Sequence, residues 1–165
     1  MKIRQISLEE AKQLLELVRQ VEQDAPYMLM EAGERKMTVE QQANMIQKMN
    51  SEENSTILIA EEDHQLVGYL FAIGGNARRT RHVVYLVIGI ASDYRGRGIG
   101  TVLFKELEQW ASEHKISRME LTVVTLNKSA VALYEKMGFT IEGTKQRSLL
   151  IDGEYYDEYY MAKLL

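Results

Sequence analysis

A chain of 165 residues, 45% hydrophobic and 27% charged, is long enough for one domain, residues 1–165, whose core needs neither disulfide nor structural metal. The absence of cysteine excludes thiolate nucleophiles, redox thiols and cysteine-ligated metal, and a net charge of −4, from 24 acids and 20 bases, argues against a general nucleic-acid surface. No apolar run approaches the roughly 18 residues of a membrane span and no basic-then-apolar leader opens the sequence, so a cytoplasmic protein that does not enter a membrane is expected.

Lys2 to Ile6 alternates as a short strand. Ser7-x-x-Glu10 then reads as a capping box before Leu8, Ala11, Leu14, Leu15 and Val18, whose spacing predicts a helix of about four turns. Asp24 to Glu34 holds the only proline and breaks the period, which makes it a loop. Thr38-x-x-Gln41 is a second capping box and starts a helix toward Met49. Residues 16–62 carry ten acids against four bases, either a solvated helix surface or a field that favours a cationic partner.

From Ser55 the pattern turns to strands: Thr56 to Glu61, a turn around Glu62-Asp63-His64, then Leu66 to Ile73. A loop with the exposed-looking cluster Arg78, Arg79, Arg81 and His82 leads into the apolar run Val83 to Ala91. A helix from about Gly100 to His114, a strand from Met119 to Val124 and a helix opened by Asn127 come next. A long strand from Phe139 returns through Asp152-Gly153, a hairpin signal. The aromatic edge Tyr155, Tyr156, Tyr159 and Tyr160 packs this hairpin or joins two copies of the chain in a homodimer.

Between the apolar run and the next helix stands Arg95-Gly96-Arg97-Gly98-Ile99-Gly100. Three glycines on alternate positions let backbone N–H groups approach a ligand, and the helix start adds unpaired donors and a positive dipole end. This is an anion cradle suited to a pyrophosphate. It is neither a GxGxxG fingerprint nor a P-loop. Downstream, Asn127-x-Ser129-Ala130-x-x-Leu133-Tyr134-x-x-x-Gly138-Phe139 puts a capping asparagine and a tyrosine on one helix face, with Gly138 as a left-handed stop.

Together the two segments resemble the (Gln/Arg)-x-x-Gly-x-(Gly/Ala) and Asn-x-x-Ala-x-x-x-Tyr-x-x-x-Gly-Phe motifs of the GCN5-related N-acetyltransferases, and the order of elements resembles that fold over essentially the whole chain. The resemblance implies a mixed, mostly antiparallel α/β sheet of about seven strands with four helices on its faces, splayed at the strand that holds acetyl-CoA. Arg95, Gly96, Arg97, Gly98, Gly100 and Thr101 would meet the phosphates of acetyl-CoA, the cosubstrate. The backbone of Ile88 and Ile90 would meet the acetyl carbonyl and pantetheine amides. Gly89 suits the family's bulge there or reflects close packing. Asn127 and Ser129 would lie along the pantetheine arm, and Tyr134 would donate to the departing thiolate. No metal is implied.

A phenol near 10 and a thiol near 8.5 make full proton transfer uphill by roughly 2 kcal/mol, so hydrogen bonding to developing sulfur charge is the expected role of Tyr134. The acceptor needs a base, because only about one primary amine in a thousand is neutral near pH 7. Relatives often carry a glutamate on the strand before the phosphate loop, whereas Val83 to Ala91 contains no acid. Glu31, Asp157, Glu158 or a water chain is left for the task. By resemblance the loop between the first two helices borders the acceptor, making Tyr27, Met28, Met30, Glu31 and Glu34 candidate contacts. The methionines are otherwise core and the glutamates a solvated edge. The acidic first half favours a small cationic amine. A protein or peptide amine, or a non-catalytic acyl-CoA sensor, are the alternatives.

Overall fold

The computed structural model describes residues 1–165. Seven strands form one sheet in the order β1-β2-β3-β4-β5-β7-β6. They are β1 (Lys2–Gln5), β2 (Thr56–Glu62), β3 (Gln65–Gly74), β4 (Val83–Ile90), β5 (Arg118–Val124), β6 (Thr140–Ile151) and β7 (Glu154–Leu164). Every neighbour pair is antiparallel except β4 with β5. The helices are α1 (Ala11–Asp24), α2 (Val39–Ser51), α3 (Ile99–Glu113) and α4 (Lys128–Lys136). None is long and apolar enough to cross a membrane.

Local chemistry sets the element ends. Glu10 accepts the Ser7 amide at 2.9 Å and closes a single 3₁₀ turn before α1. Leu8, expected on the helix face, sits in that turn and stays exposed; the buried face is built by Leu14, Leu17, Val18 and Val21. Thr38 and Gln41 exchange their capping bonds at 3.1 and 2.9 Å. Asp63 with His64, and Asp152 with Gly153, take the positive φ that tight hairpins require. Gly138, at φ 93°, ends α4.

Strand alternation sends side chains to two cores. On one face α3 and α4 cover Val84, Leu86, Met119 and Leu121 with Leu103, Phe104 and Leu107. On the other, α1 and α2 cover Ile57, Ile59, Tyr69 and Phe71. This second core takes nothing from β5, β6 or β7, so half of that face is bare, with Tyr85 and Tyr160 38% and 47% exposed. The bare half lies beside the point where β4 and β5 part.

Arg4 clamps Glu10 and Glu61, tying β1 to the start of α1 and to β2. The clamp holds the Glu10 carboxyl at about 2 against its ordinary 4.5, mainly through the Arg4 hydrogen bond. Its contribution is complete above about pH 4.5 and disappears as pH falls toward 2. Near solvent it amounts to about 1 kcal/mol. Glu10→Gln is therefore expected to be less stable than the parent at pH 7 and equally stable near pH 2, measured by denaturant titration at both pH values.

Candidate active site

Parallel pairing of β4 with β5 runs only from Val83↔Arg118 to Tyr85↔Glu120 and then stops. Beyond it the strands diverge. Val83 O accepts from Gly75 N–H at 3.0 Å and Ala91 N–H donates to Val67 O at 2.9 Å, both on the β3 side. Odd positions of β4 therefore turn their backbone to β3, while Leu86, Ile88 and Ile90 turn theirs to the gap. A side-chain bond from Tyr85 to Thr122, 2.9 Å, spans the mouth of the gap on the bare face.

Of the two readings of Gly89, the bulge is absent: β3 and β4 keep one register from Gly68↔Ile90 to Gly74↔Val84. Close packing is the reason for the glycine. A Cβ there would lie 2.4 Å from the ring and hydroxyl of Tyr69. Tyr69 is 1% exposed, its hydroxyl has no partner, and burial with the nearby Glu22 carboxylate pushes its phenol upward. The gap thus comes from divergence of β4 and β5 rather than from an irregularity against β3.

At the end of β4 the chain makes a 3₁₀ turn, Ser92 to Tyr94, and enters the glycine loop. Gly96 and Gly98 have φ of 74° and 81°, and Gly98 caps α3. The first helical bond is Val102 N–H to Gly98 O; the amides of residues 96–101 donate to nothing in the protein. Six such donors around a helix start are suited to an anion. Arg95 bonds Ile90 O at 3.2 Å, which fixes it at the junction of gap and loop. Arg97 lies 4.9 Å over Tyr94 and 3.3 Å from Glu62. Gly100 serves packing as well, since a Cβ would meet Leu133 of α4 at 2.8 Å. Thr101 stands in the first turn of α3.

Asn127 Oδ1 accepts from Ala130 N–H and Ser129 Oγ, both 3.3 Å, leaving its amide hydrogens free. Tyr134 is 8% exposed, edge-on to Phe104 at 5.8 Å. Its hydroxyl bonds no protein group, yet unlike that of Tyr69 it is not sealed. Burial, with a smaller contribution from Tyr85, pushes its phenol up to about 12. It is a proton carrier at any physiological pH.

On the opposite side, the loop between α1 and α2 meets the β6–β7 hairpin around a cavity of about 390 Å³. Met28, Met30 and Glu31 line it; Glu34 does not, its carboxylate accepting the Glu31 amide at 3.2 Å and closing the loop's own turn. Tyr27 packs on Tyr156, ring centroids 5.7 Å apart, which seats the loop on the bare face. Asp24 accepts from Ser92 Oγ at 3.2 Å, bringing the loop beside the end of β4. Two residues from Tyr156 on the same face, Glu158 stands half-buried opposite Val124, free of any ion pair. Asp157 is committed elsewhere: it accepts the amide of Arg147, whose φ of 51° belongs to a register break in β6.

Sequence reasoning missed Glu22 and Arg35. Glu22, 5% exposed, forms three hydrogen bonds of 2.7 to 3.1 Å with Arg35 and lies in the cavity wall. The signal was present, since Glu22 follows Val18 by four residues on the buried face of α1. Leu149, Leu150, Ile151 and Asp152 of the hairpin also line the cavity.

Residues 15–139 match the model of the acetyltransferase (GNAT) family. L-amino acid N-acetyltransferase AaaT of Escherichia coli (strain K12) is 36% identical over 108 residues, 65% of this chain and 67% of that protein. The crystal structure of a GNAT-family acetyltransferase from Streptococcus pneumoniae superposes with a TM-score of 0.96 at 31% identity, covering 99% of both chains. A Salmonella typhimurium acetyltransferase, yncA, solved with acetyl-CoA, has a TM-score of 0.89 over 100% of this chain and 94% of its own. At 17% identity that likeness concerns the fold alone.

Proposed function

Because the chain belongs to the acetyltransferase (GNAT) family, we propose that this acetyl-CoA-dependent N-acetyltransferase delivers its acetyl group to the primary amine of a small acceptor held between the α1–α2 loop and the β6–β7 hairpin. The observation that carries the reading is the set of six unpaired amides at residues 96–101, at the end of a strand that parts from β5; a Tyr134 hydroxyl without a protein partner supports it. Acetyl-CoA supplies an activated thioester when bound. The amides and Arg95 hold its phosphates, and the backbone of Ile88 and Ile90 meets its amides and carbonyl. Asn127 donates along the arm with the hydrogens its cap leaves free.

At the reacting atoms the chain does two things. Tyr134 donates a hydrogen bond to sulfur as the C–S bond breaks and the amine nitrogen bonds to the carbonyl carbon. Glu31 draws the ammonium into the cavity and Glu158 takes the proton whose loss makes it the attacking amine, while the second proton, shed by nitrogen as the amide forms, ends on the departing thiolate to give the free thiol. Tyr27, Met28 and Met30 shape the entry, and Glu34 holds the loop that presents Glu31. A free L-amino acid as acceptor is a second reading, favoured by the name of the Escherichia coli relative.

The test is incubation with acetyl-CoA and a panel of small amines and peptides, following free thiol and product mass. Turnover of small amines is expected. Peptide turnover alone, or acetyl-CoA binding without turnover, would replace the reading with a protein acetyltransferase or a sensor. The cradle has its own check: Gly98→Val forces a β-branched residue into φ 81° and puts a side chain among the donors. Affinity for acetyl-CoA by calorimetry should fall at least about tenfold in a variant whose circular dichroism is unchanged. Unaltered affinity would place the phosphates elsewhere.

A further inference from the structure

The lining of the acceptor cavity is apolar and acidic, with Gln23 its one neutral polar side chain. Met28 and Met30 from the loop face Leu149, Leu150 and Ile151 from the hairpin. Leu29 and Leu150 are 79% and 59% exposed at its rim, apolar surface left open to solvent. The charged members are Glu22, Glu31 and Asp152; no lysine, arginine or histidine lines the cavity. Arg35 compensates Glu22, using Nε and Nη2. Glu31 and Asp152 form no ion pair, so the cavity keeps two uncompensated carboxylates.

Taking this cavity as the acceptor site proposed above, we infer that its ligand is a primary amine on an apolar body with no free carboxylate beside the amine. An alkylamine or arylalkylamine, or an amino acid whose carboxyl is masked as an amide, meets both features. Its ammonium faces Glu31 and Asp152, and its body lies on the methionines and leucines. Methionine side chains adapt to varied apolar shapes, which suits a range of such bodies. A free α-amino acid does not fit: its carboxylate would enter beside two others, with no cation in the wall to receive it.

The experiment compares matched acceptors: phenethylamine, phenylalaninamide and phenylalanine, then isoamylamine, leucinamide and leucine. The α-amine of an amide is more acidic than an alkylamine, so kcat/KM is expressed per unprotonated amine. The carboxylate-free members should exceed the free acids by at least about tenfold. Asp152→Asn removes one charge while keeping a residue type that accepts the left-handed turn conformation at φ 50°. In that variant the ratio should shrink severalfold. Equal or better use of the free acids, or a ratio untouched by Asp152→Asn, overturns the inference while leaving the small-amine reading in place. Turnover of no member of either series overturns that reading and the inference with it.

Discussion

Tyr134→Phe is expected to lower kcat about a hundredfold and to change the KM for acetyl-CoA by no more than about threefold. The ring accounts for the packing, edge-on to Phe104 and tilted against Phe139, and phenylalanine preserves it. The hydroxyl bonds nothing in the protein, so its removal leaves no partner stranded. What disappears is a donor that matters most when sulfur carries charge. With the phenol pushed up to about 12, outright transfer to a thiolate whose free acid titrates near 8.5 would be uphill by about 5 kcal/mol. Hydrogen bonding to developing charge is the role that remains. A viscosity series or a burst measurement must show that chemistry limits turnover; unchanged kcat under that condition would sink the assignment.

The two motif segments were legible for a physical reason. Glycine at φ 74° and 81° and an asparagine cap are demanded by backbone conformation, which depends on neighbours in sequence. Hairpin turns at Asp63-His64 and Asp152-Gly153 were equally readable. The gap between β4 and β5 was expected only through the family resemblance and could not be read from the residues themselves, because it is a relation between strands separated by all of α3. Gly89 shows the difference sharply. From sequence it admits a bulge or a close contact, and only the cross-strand pairing with Tyr69 identifies the contact.

On the side proposed for the acceptor, composition supplied acids without saying which of them are free. The resemblance pointed to the loop and the acid-rich first half to a cationic amine, yet Glu34 turned out to close its own turn and Asp157 to hold the Arg147 amide. Which carboxylate is free depends on where others find partners, and those partners come from β6 and from within the loop. Glu22 could have been noticed from its place on an apolar helix face, though its pairing with Arg35, thirteen residues on, could not.

Glu158→Gln and Glu31→Gln should separate the two tasks that an ammonium acceptor imposes. The first is to gather the cation, the second to remove its proton. Glu31 lies exposed in the cavity wall, where its charge acts on the bound ammonium and contributes alike to ground and transition state. Glu31→Gln should raise acceptor KM about fivefold to tenfold with kcat little changed, the signature of lost uniform binding. Glu158 is half-buried on β7, opposite Val124 where the gap is open, and neither Lys145 nor any other cation pairs with it. Glu158→Gln keeps the shape and removes the proton acceptor, so kcat at pH 7 should fall about a hundredfold. As pH rises toward the amine's own value near 10.4, the neutral fraction grows about tenfold per unit and the variant should recover toward the parent. A structural glutamate would give no such recovery. A variant with a flat deficit across pH, or a Glu31→Gln profile that recovers while Glu158→Gln stays at parental rates, would move the base from the last strand to the loop.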